Sequence, residues 1–589
     1  MELFGSKRFS IAGERAFFTD VKLPEIDTSL DAQLLARADA ALEYQLTPLT
    51  AGMYMLYYEN GDRKTFESAF HERRYALLDL VAASVRFGNE KYIRKIIDIT
   101  WAILEETTWV VPAHNSNHAR QGEAIPLPDE FDGEVYTVDL FSASTAAVLA
   151  LTLKYVGDDM SALTKNAVTD RIKRELYTRI IKPFCLYEMR WERQWINNWI
   201  PWIISNVLTV AFVAESDGEV MRTVVRRAMS LLDMFFATYG EDGGCDEGPT
   251  YYTQAGQALF DCCELLYDIT GGEIDVFSNA KLKKICEYIV HFCISESNGR
   301  FVNFADCSPR VRLDTRSLAR MGRRLQSGLL SGFAHRLNEA QQNAIVATAF
   351  NPHRFIKGLL KEEMYDTAER KDGDVVYGDI EVFISRRGKF FAALKGGNNG
   401  ESHNHNDVGN VIIYKNEEPV LIDVGTMEYV KKTFSPDRYS IWAMQSSFHN
   451  LPEIGGVMEH EWKDYHSDEF KKIDDGKAFV SYTNVYPEEI RPEKCIRTVE
   501  VSDDGVTVAD EVKSPYDVVF NFMVCREPQI SGCDVSLGHA VLSFEGAEKI
   551  EAEKVDLTMS PQLMNAWGDD HIFRLRVTPT GEKLTLKIS

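Results

Sequence analysis

Residues 375–397 read VVYGDIEVFISRRGKFFAALKGG, and the fold turns on how they are read. β-Branched and aromatic residues dominate, and glycines at 378, 388, 396 and 397 cut the run into lengths that suit short strands. The same texture continues through GNVIIYKNEEPVLIDVG (409–425), RTVEVSDDGVTVADEV (497–512), VVFNFMVCREPQI (518–530) and FRLRVTPTGEKLTLKIS (573–589), with Gly, Asn and Asp turns at short intervals. Such spacing predicts a sandwich of antiparallel sheets.

Upstream the period is different. From about residue 30 to about 360 apolar residues recur at helical spacing, as in 32–46, 75–88, 92–107, 138–156 and 220–240. Prolines and paired glycines punctuate the stripes, predicting about ten to twelve helices and no strand. Helices of similar length on short links suit a toroid of stacked helical hairpins. The chain is therefore read as α+β and multidomain, with a helical domain at 1–370 and a β-sandwich domain at 371–589. Its 589 residues exceed what one core supports, roughly 250 to 300.

Composition narrows the function. Sixty-five Lys and Arg against 89 Asp and Glu give a net charge of −24, which argues against nucleic-acid binding. A polyanionic partner would need a local basic cleft. The first residues lack an apolar signal region, and no window is read as a membrane span, so a cytoplasmic location and no membrane partner are expected. Ten scattered cysteines without a CxxC pair suggest reduced, mostly buried thiols.

Three polar constellations are candidates for chemistry. The densest is ESHNHND (401–407), just before the strand GNVIIYK. In an extended segment His403 and His405 point the same way. Downstream, PVLID delivers Asp423 and SSFHN delivers His449. Two imidazoles and a carboxylate suit a divalent metal, Zn²⁺ first, with Mn²⁺ or Ca²⁺ as alternatives. A solvated histidine-rich loop fits the spacing equally well.

The second constellation, GGCDEGPTYY (243–252), lies between helical patterns. A tyrosine at such a helix mouth presents its hydroxyl outward and carries protons if its pKa is lowered. An aromatic plug over the core is the simpler reading of an isolated pair. The third, WERQWINNWIPW (191–202), places four tryptophans beside Asn197 and Asn198, which suits a carbohydrate cleft or a helix-packing corner. Trp109, His114, Asn115 and Asn117 form a similar mixture.

In chain order, NNW, DGG..EGP.Y, SHNHND.G, P...D.G...Y and S..HN resemble the heparinase II/III-like polysaccharide lyases. So do ETTWVVPAHN (106–115) and the VDLFSASTA that follows. The resemblance runs from about residue 70 to about 460. It implies an incomplete α/α toroid followed by a β-sandwich, and cleavage of uronate polysaccharides by β-elimination (a carbon-oxygen lyase, EC 4.2.2.-). By resemblance, Asn198, with Asn197 as the near alternative, neutralises the uronate carboxylate. Tyr251 rather than Tyr252 is the base, and His403 is the second acid/base group. His405, Asp423 and His449 hold a structural metal. Trp199, Asn115, Glu247 and Arg438 are candidate substrate contacts, although Glu247 at a helix start and a lone Arg438 also have structural readings. Where some members carry a helical-domain His, this chain has Asn.

Glycosaminoglycans are the first expectation for substrate and alginate the second. The rival readings are a glycoside hydrolase using Asp242 and Glu247 and a noncatalytic glycan-binding protein.

Overall fold

The computed structural model describes residues 2–11, 26–115, 131–132, 135–194, 196–215, 217–346, 348–361 and 365–589. Asn117 and Trp195 lie outside these residues. The chain forms two compact units. One comprises Met1–Thr238, Thr253–Cys286 and Leu313–Thr367; the other comprises Tyr239–Tyr252, Glu287–Arg312 and Ala368–Ser589. The architecture is an α/α toroid followed by an antiparallel β-sandwich, as the change of period predicts.

In the helical unit, Lys64–Phe87 packs on Asp31–Glu43 and on Leu140–Thr164, while Trp199–Ala214 packs on Leu140–Thr164, Gly218–Thr238 and Gly256–Ile269. The outer helix Gly218–Thr238 buries one stripe, including Met221, Val225, Leu232 and Phe236. That is the i, i+3, i+4 pattern of an amphipathic helix. Leu140–Thr164 is buried over most of its length and starts in a reciprocal cap, Asp139 accepting from Ser142 N–H at 2.7 Å and Ser142 Oγ accepting from Asp139 N–H at 2.8 Å. Its 25 residues are long and apolar enough to cross a membrane, contrary to the sequence reading that no window reaches that length. With 83% of its apolar window buried inside the protein, the helix is explained as a core element.

An ionic strut ties three helices of this unit together. Glu264 on Gly256–Ile269 meets Lys357 at 2.8 Å and Arg320 at 3.1 Å. Burial would raise the Glu264 carboxyl, but the Lys357 and Arg320 charges outweigh it and hold the group well below the usual range. Glu264→Gln is expected to destabilise the protein by about 3–5 kcal/mol, because it leaves buried cations uncompensated. A depressed pKa contributes stability above the ordinary glutamate value of about 4.3, lost as pH falls through the folded value. The gap in urea midpoint between wild type and variant should therefore be full at neutral pH and shrink below pH ~4.

Among the described residues, neighbouring strands in the sheets of the second unit run antiparallel. Strands Glu418–Leu421, Val411–Lys415, Phe390–Lys395, Val382–Arg387 and Gly373–Tyr377 form one sheet, and eight strands between Glu469 and Ile588 form another. Lys494–Val501 shows the alternation expected of a sheet with one covered face. Phe383, Ala392, Val411 and Ile413 share a core with Val480, Val499, Val508 and Leu586. A fully buried pair stiffens it: Arg497 holds Asp510 through two bonds of 2.8 and 3.0 Å and donates to Gly409 O at 2.9 Å, anchoring the loop that precedes Val411–Lys415.

Two segments that the boundary at residue 370 places in the helical domain pack within this unit. Within them, Cys293–Ser295 and Arg300–Phe301 form a small hairpin in a region read as strand-free. Strands of two or three residues carry no usable period. The hairpin leads into a loop whose Asp306 N–H donates to His403 O at 2.9 Å.

Candidate active site

Asp306 is the hub of the site. Its carboxylate is buried and meets His403 Nδ1 at 3.1 Å, His405 Nε2 at 3.1 Å, Arg438 Nη2 at 2.9 Å, Tyr429 Oη at 3.0 Å and Thr426 Oγ1 at 3.2 Å. Burial would push this carboxyl up; the bonds from His403 and His405, with the Arg438 charge, hold it well below the ordinary range. An anionic Asp306 fixes the orientation of both imidazoles, as carboxylates behind functional histidines do.

His403 lies between two acids, since its Nε2 is 3.6 Å from Glu247. Tyr251 stacks on the imidazole with ring centroids 4.0 Å apart, and its hydroxyl bonds to that of Tyr429. Tyr429 Oη is also 3.3 Å from His403 Nδ1. The result is a continuous path of hydroxyls and ring nitrogens from Tyr251 to Asp306. Burial and the Asp306 charge raise the Tyr251 phenol well above its ordinary pKa, so the lowered value envisaged from sequence is absent in the free protein. The hydroxyl points into the cluster, not outward.

Local structure explains the placement. Tyr251 lies on the short helix Gly248–Tyr252, whose first residue has φ +78° and would place a Cβ 2.4 Å from Cys307 Sγ, so only glycine fits. Cys307 donates to Glu247 O at 3.3 Å and Ser308 N–H to Thr250 Oγ1 at 3.1 Å, which joins the tyrosine turn to the Asp306 loop. The segment around His403 is a turn, not the extended strand expected, and His403 itself has φ +58°. Both rings nevertheless reach one carboxylate, through different oxygens. Lys395 pins the ends of this turn, reaching Asp407 at 2.8 Å and Glu401 at 3.3 Å.

Residues 370–571 match the family described as Heparinase II/III-like, C-terminal. Over these residues the chain carries a heparinase II/III-like C-terminal domain. No curated protein matches the sequence. Among solved structures, a heparinase III superposes with a TM-score of 0.64 at 12% identity, over 98% of this chain and 87% of its own. A mutant of the heparan sulfate lyase HepC from Pedobacter heparinus gives 0.57 at 12% identity, over 99% and 85%. The chondroitin AC lyase of Streptomyces coelicolor A3, in complex with chondroitin sulphate, gives 0.54 at 9% identity, over 95% and 79%. At these identities the likeness is one of fold.

The heparinase II/III-like domain also brings together His405, Asp423 and His449. All three are fully buried, and one ligand atom from each lies within 4.8 Å of the others. His449 Nδ1 is 3.1 Å from Asp423. His405 Nδ1 and His449 Nε2 have no hydrogen-bond partner, an unfavourable state for buried nitrogens that a bound cation would relieve. Two imidazoles and a carboxylate fit a zinc-type ion. Asn410 and Asn450 brace the set: Asn410 Nδ2 donates to Asp423 at 2.8 Å, and Asn450 Nδ2 donates to Asn410 Oδ1 at 3.0 Å and to Ile422 O at 3.0 Å.

The remaining candidates divide by surroundings. Arg438 has its guanidinium engaged by Asp306, by Asn404 O at 2.9 Å and by Thr433 O at 3.1 Å, and its side chain is only 11% exposed. It braces the site from behind. Tyr252 is fully buried and stacks on Tyr288, so of the adjacent pair it is Tyr251 that joins the cluster. In the helical unit Asn198 is buried immediately before Trp199–Ala214, and Asn197 Oδ1 accepts from Trp199 N–H at 3.1 Å. Trp199 packs on His114 at 4.9 Å, and Asn115 is buried at the end of Pro112–Asn115. Trp191 and Trp202 donate to Val138 O and Phe350 O, at 2.8 and 3.1 Å, and are packing residues.

Sequence reading gave Tyr429 no role and missed Asp306. Tyr429 closes the P...D.G...Y motif, which was the available signal. Asp306 stands in FVNFADCSPR (301–310), where no spacing distinguishes it.

Proposed function

We propose that the protein is a polysaccharide lyase that cleaves uronate-containing glycans by β-elimination, with glycosaminoglycans as the first substrate class and alginate as the second. The observation that carries this reading is His403 held between Asp306 and Glu247 with Tyr251 stacked on its ring. The proton on C5 of a uronate is too weakly acidic to be removed while the neighbouring carboxylate keeps its full charge. By the sequence resemblance, the side-chain amide of Asn198, with that of Asn197 as the alternative, is the group proposed for that neutralisation. Tyr251 takes the C5 proton after its own proton leaves through Tyr429 toward His403, and His403 or the reprotonated phenol delivers a proton to the departing O4. The solved structures of like fold that carry lyase names support the substrate class.

The hydrolase alternative is weakened by Asp242, whose carboxylate accepts Gly244 N–H at 2.9 Å and Asp379 N–H at 3.2 Å and so serves a turn. A cation held by His405, Asp423 and His449 would supply fixed positive charge that braces the loops carrying His403. The experiment is incubation with defined uronate oligosaccharides while recording ultraviolet absorbance of a conjugated unsaturated uronate and reducing ends together. Both signals are expected. Reducing ends without the absorbance would replace elimination by hydrolysis, and neither signal would leave a binding protein. Because burial raises the Tyr251 phenol and its proton passes internally toward His403, with no net loss to solvent, kcat/KM should level off below pH ~10, the ordinary tyrosine value. A rate still climbing at pH ~10 would overturn the internal transfer and mean that the phenol loses its proton to solvent.

A further inference from the structure

One exposed aromatic side chain touches the acid–base cluster. Phe434 is 55% exposed, yet its ring meets Tyr429 at 5.0 Å and 78°, and His403 at 6.3 Å and 87°. Its presentation is built into the fold. The turn Lys431–Phe434 is closed by Thr433 N–H to Val430 O at 3.0 Å and Val430 N–H to Thr433 Oγ1 at 3.0 Å. Thr433 is buried, and its carbonyl accepts from Arg438, the residue that also grips Asp306. Turning Thr433 inward turns its neighbours out: Lys431, Lys432 and Phe434 all face solvent. A side chain with no polar group is thus held beside His403 by the same guanidinium that braces the histidine's carboxylate. Nothing in the proton path requires an apolar ring there. A pyranose offers the complementary surface, because its C–H face is apolar and weakly positive against the negative face of an aromatic ring.

We propose that Phe434 is a sugar-stacking platform, receiving the pyranose adjacent to the uronate that reacts at His403 and Tyr251, with Lys431 and Lys432 beside an acidic substituent of that sugar. The inference rests on the uronate-lyase reading. It assigns Phe434 to binding rather than to chemistry, so KM should respond and kcat should not.

The test measures binding of unsulfated and sulfated uronate tetrasaccharides to Tyr251→Phe protein by titration calorimetry, with and without Phe434→Ala or Phe434→Tyr. Phe434→Ala is expected to weaken binding about tenfold, equivalent to about 1.4 kcal/mol, while Phe434→Tyr, which keeps the ring, stays within about threefold. In the otherwise unaltered enzyme, Phe434→Ala should raise KM by a similar factor with kcat within about threefold. Melting curves check that the exposed substitution leaves the fold intact. Equal affinity with and without the ring would overturn the platform and leave the lyase reading standing. Failure of the Tyr251→Phe protein to bind any uronate would overturn the lyase reading, and the platform with it.

Discussion

Tyr251→Phe should lower turnover of a cleavable uronate oligosaccharide by about 10²–10⁴-fold, the usual contribution of a positioned proton carrier. The substitution removes one oxygen and keeps the ring, so the stack on His403 at 4.0 Å survives and substrate affinity should change little. The fold should be nearly indifferent as well. Without the Tyr251 hydroxyl, Tyr429 still donates to Asp306 at 3.0 Å and remains 3.3 Å from His403 Nδ1, so no buried group is newly stranded. A large loss of kcat with binding and melting temperature preserved is therefore the expected signature. It is read from the initial rate of absorbance by unsaturated uronate and from calorimetric affinity on the same preparation. Tyr429→Phe should give a smaller loss, because it interrupts the exit path but leaves the abstracting oxygen in place. Retained activity in Tyr251→Phe would move the base to His403, since Tyr252 is buried against Tyr288.

The large features of the fold were legible because they are periodic. A helical stripe such as that of Gly218–Thr238 and a strand alternation such as that of Lys494–Val501 are local consequences of burying one face, and both can be counted along the chain. The candidate site was only half legible. Tyr251 and His403 lie in dense, ordered motifs, whereas Asp306 meets His403 across 97 residues and comes from a loop without a pattern. Contacts of that kind arise from tertiary closure and leave no trace in spacing. The turn at His403 carried a hint, since Ser402, Asn404 and Asn406 are turn-forming residues, yet the alternation of the two histidines favoured a strand. Arg438 shows the same limit. A lone arginine reads as a surface ion pair or an anion contact, and only the fold directs it onto a buried aspartate.

His405→Ala is expected to lower thermal stability more than it lowers turnover. His405, Asp423 and His449 are fully buried, and the two imidazoles leave a nitrogen each without a partner. If a cation satisfies them, the purified protein should contain about one equivalent of metal, and a chelator should lower the melting temperature. A ligand present at about 1,000 times its dissociation constant stabilises by about 4 kcal/mol. At about 2–4 °C per kcal/mol this corresponds to a shift on the order of 10 °C. His405→Ala should reproduce that shift, abolish the metal content and become insensitive to chelator. His403→Ala, which alters the neighbouring ring, should keep the metal while losing activity. The two histidines are coupled through Asp306, so His405→Ala should also cost some turnover: the carboxylate loses one of its donors at 3.1 Å and holds His403 less firmly. If chelation leaves both melting and metal content unchanged, these residues form a buried polar network, and the relation between the two histidines reduces to their shared aspartate.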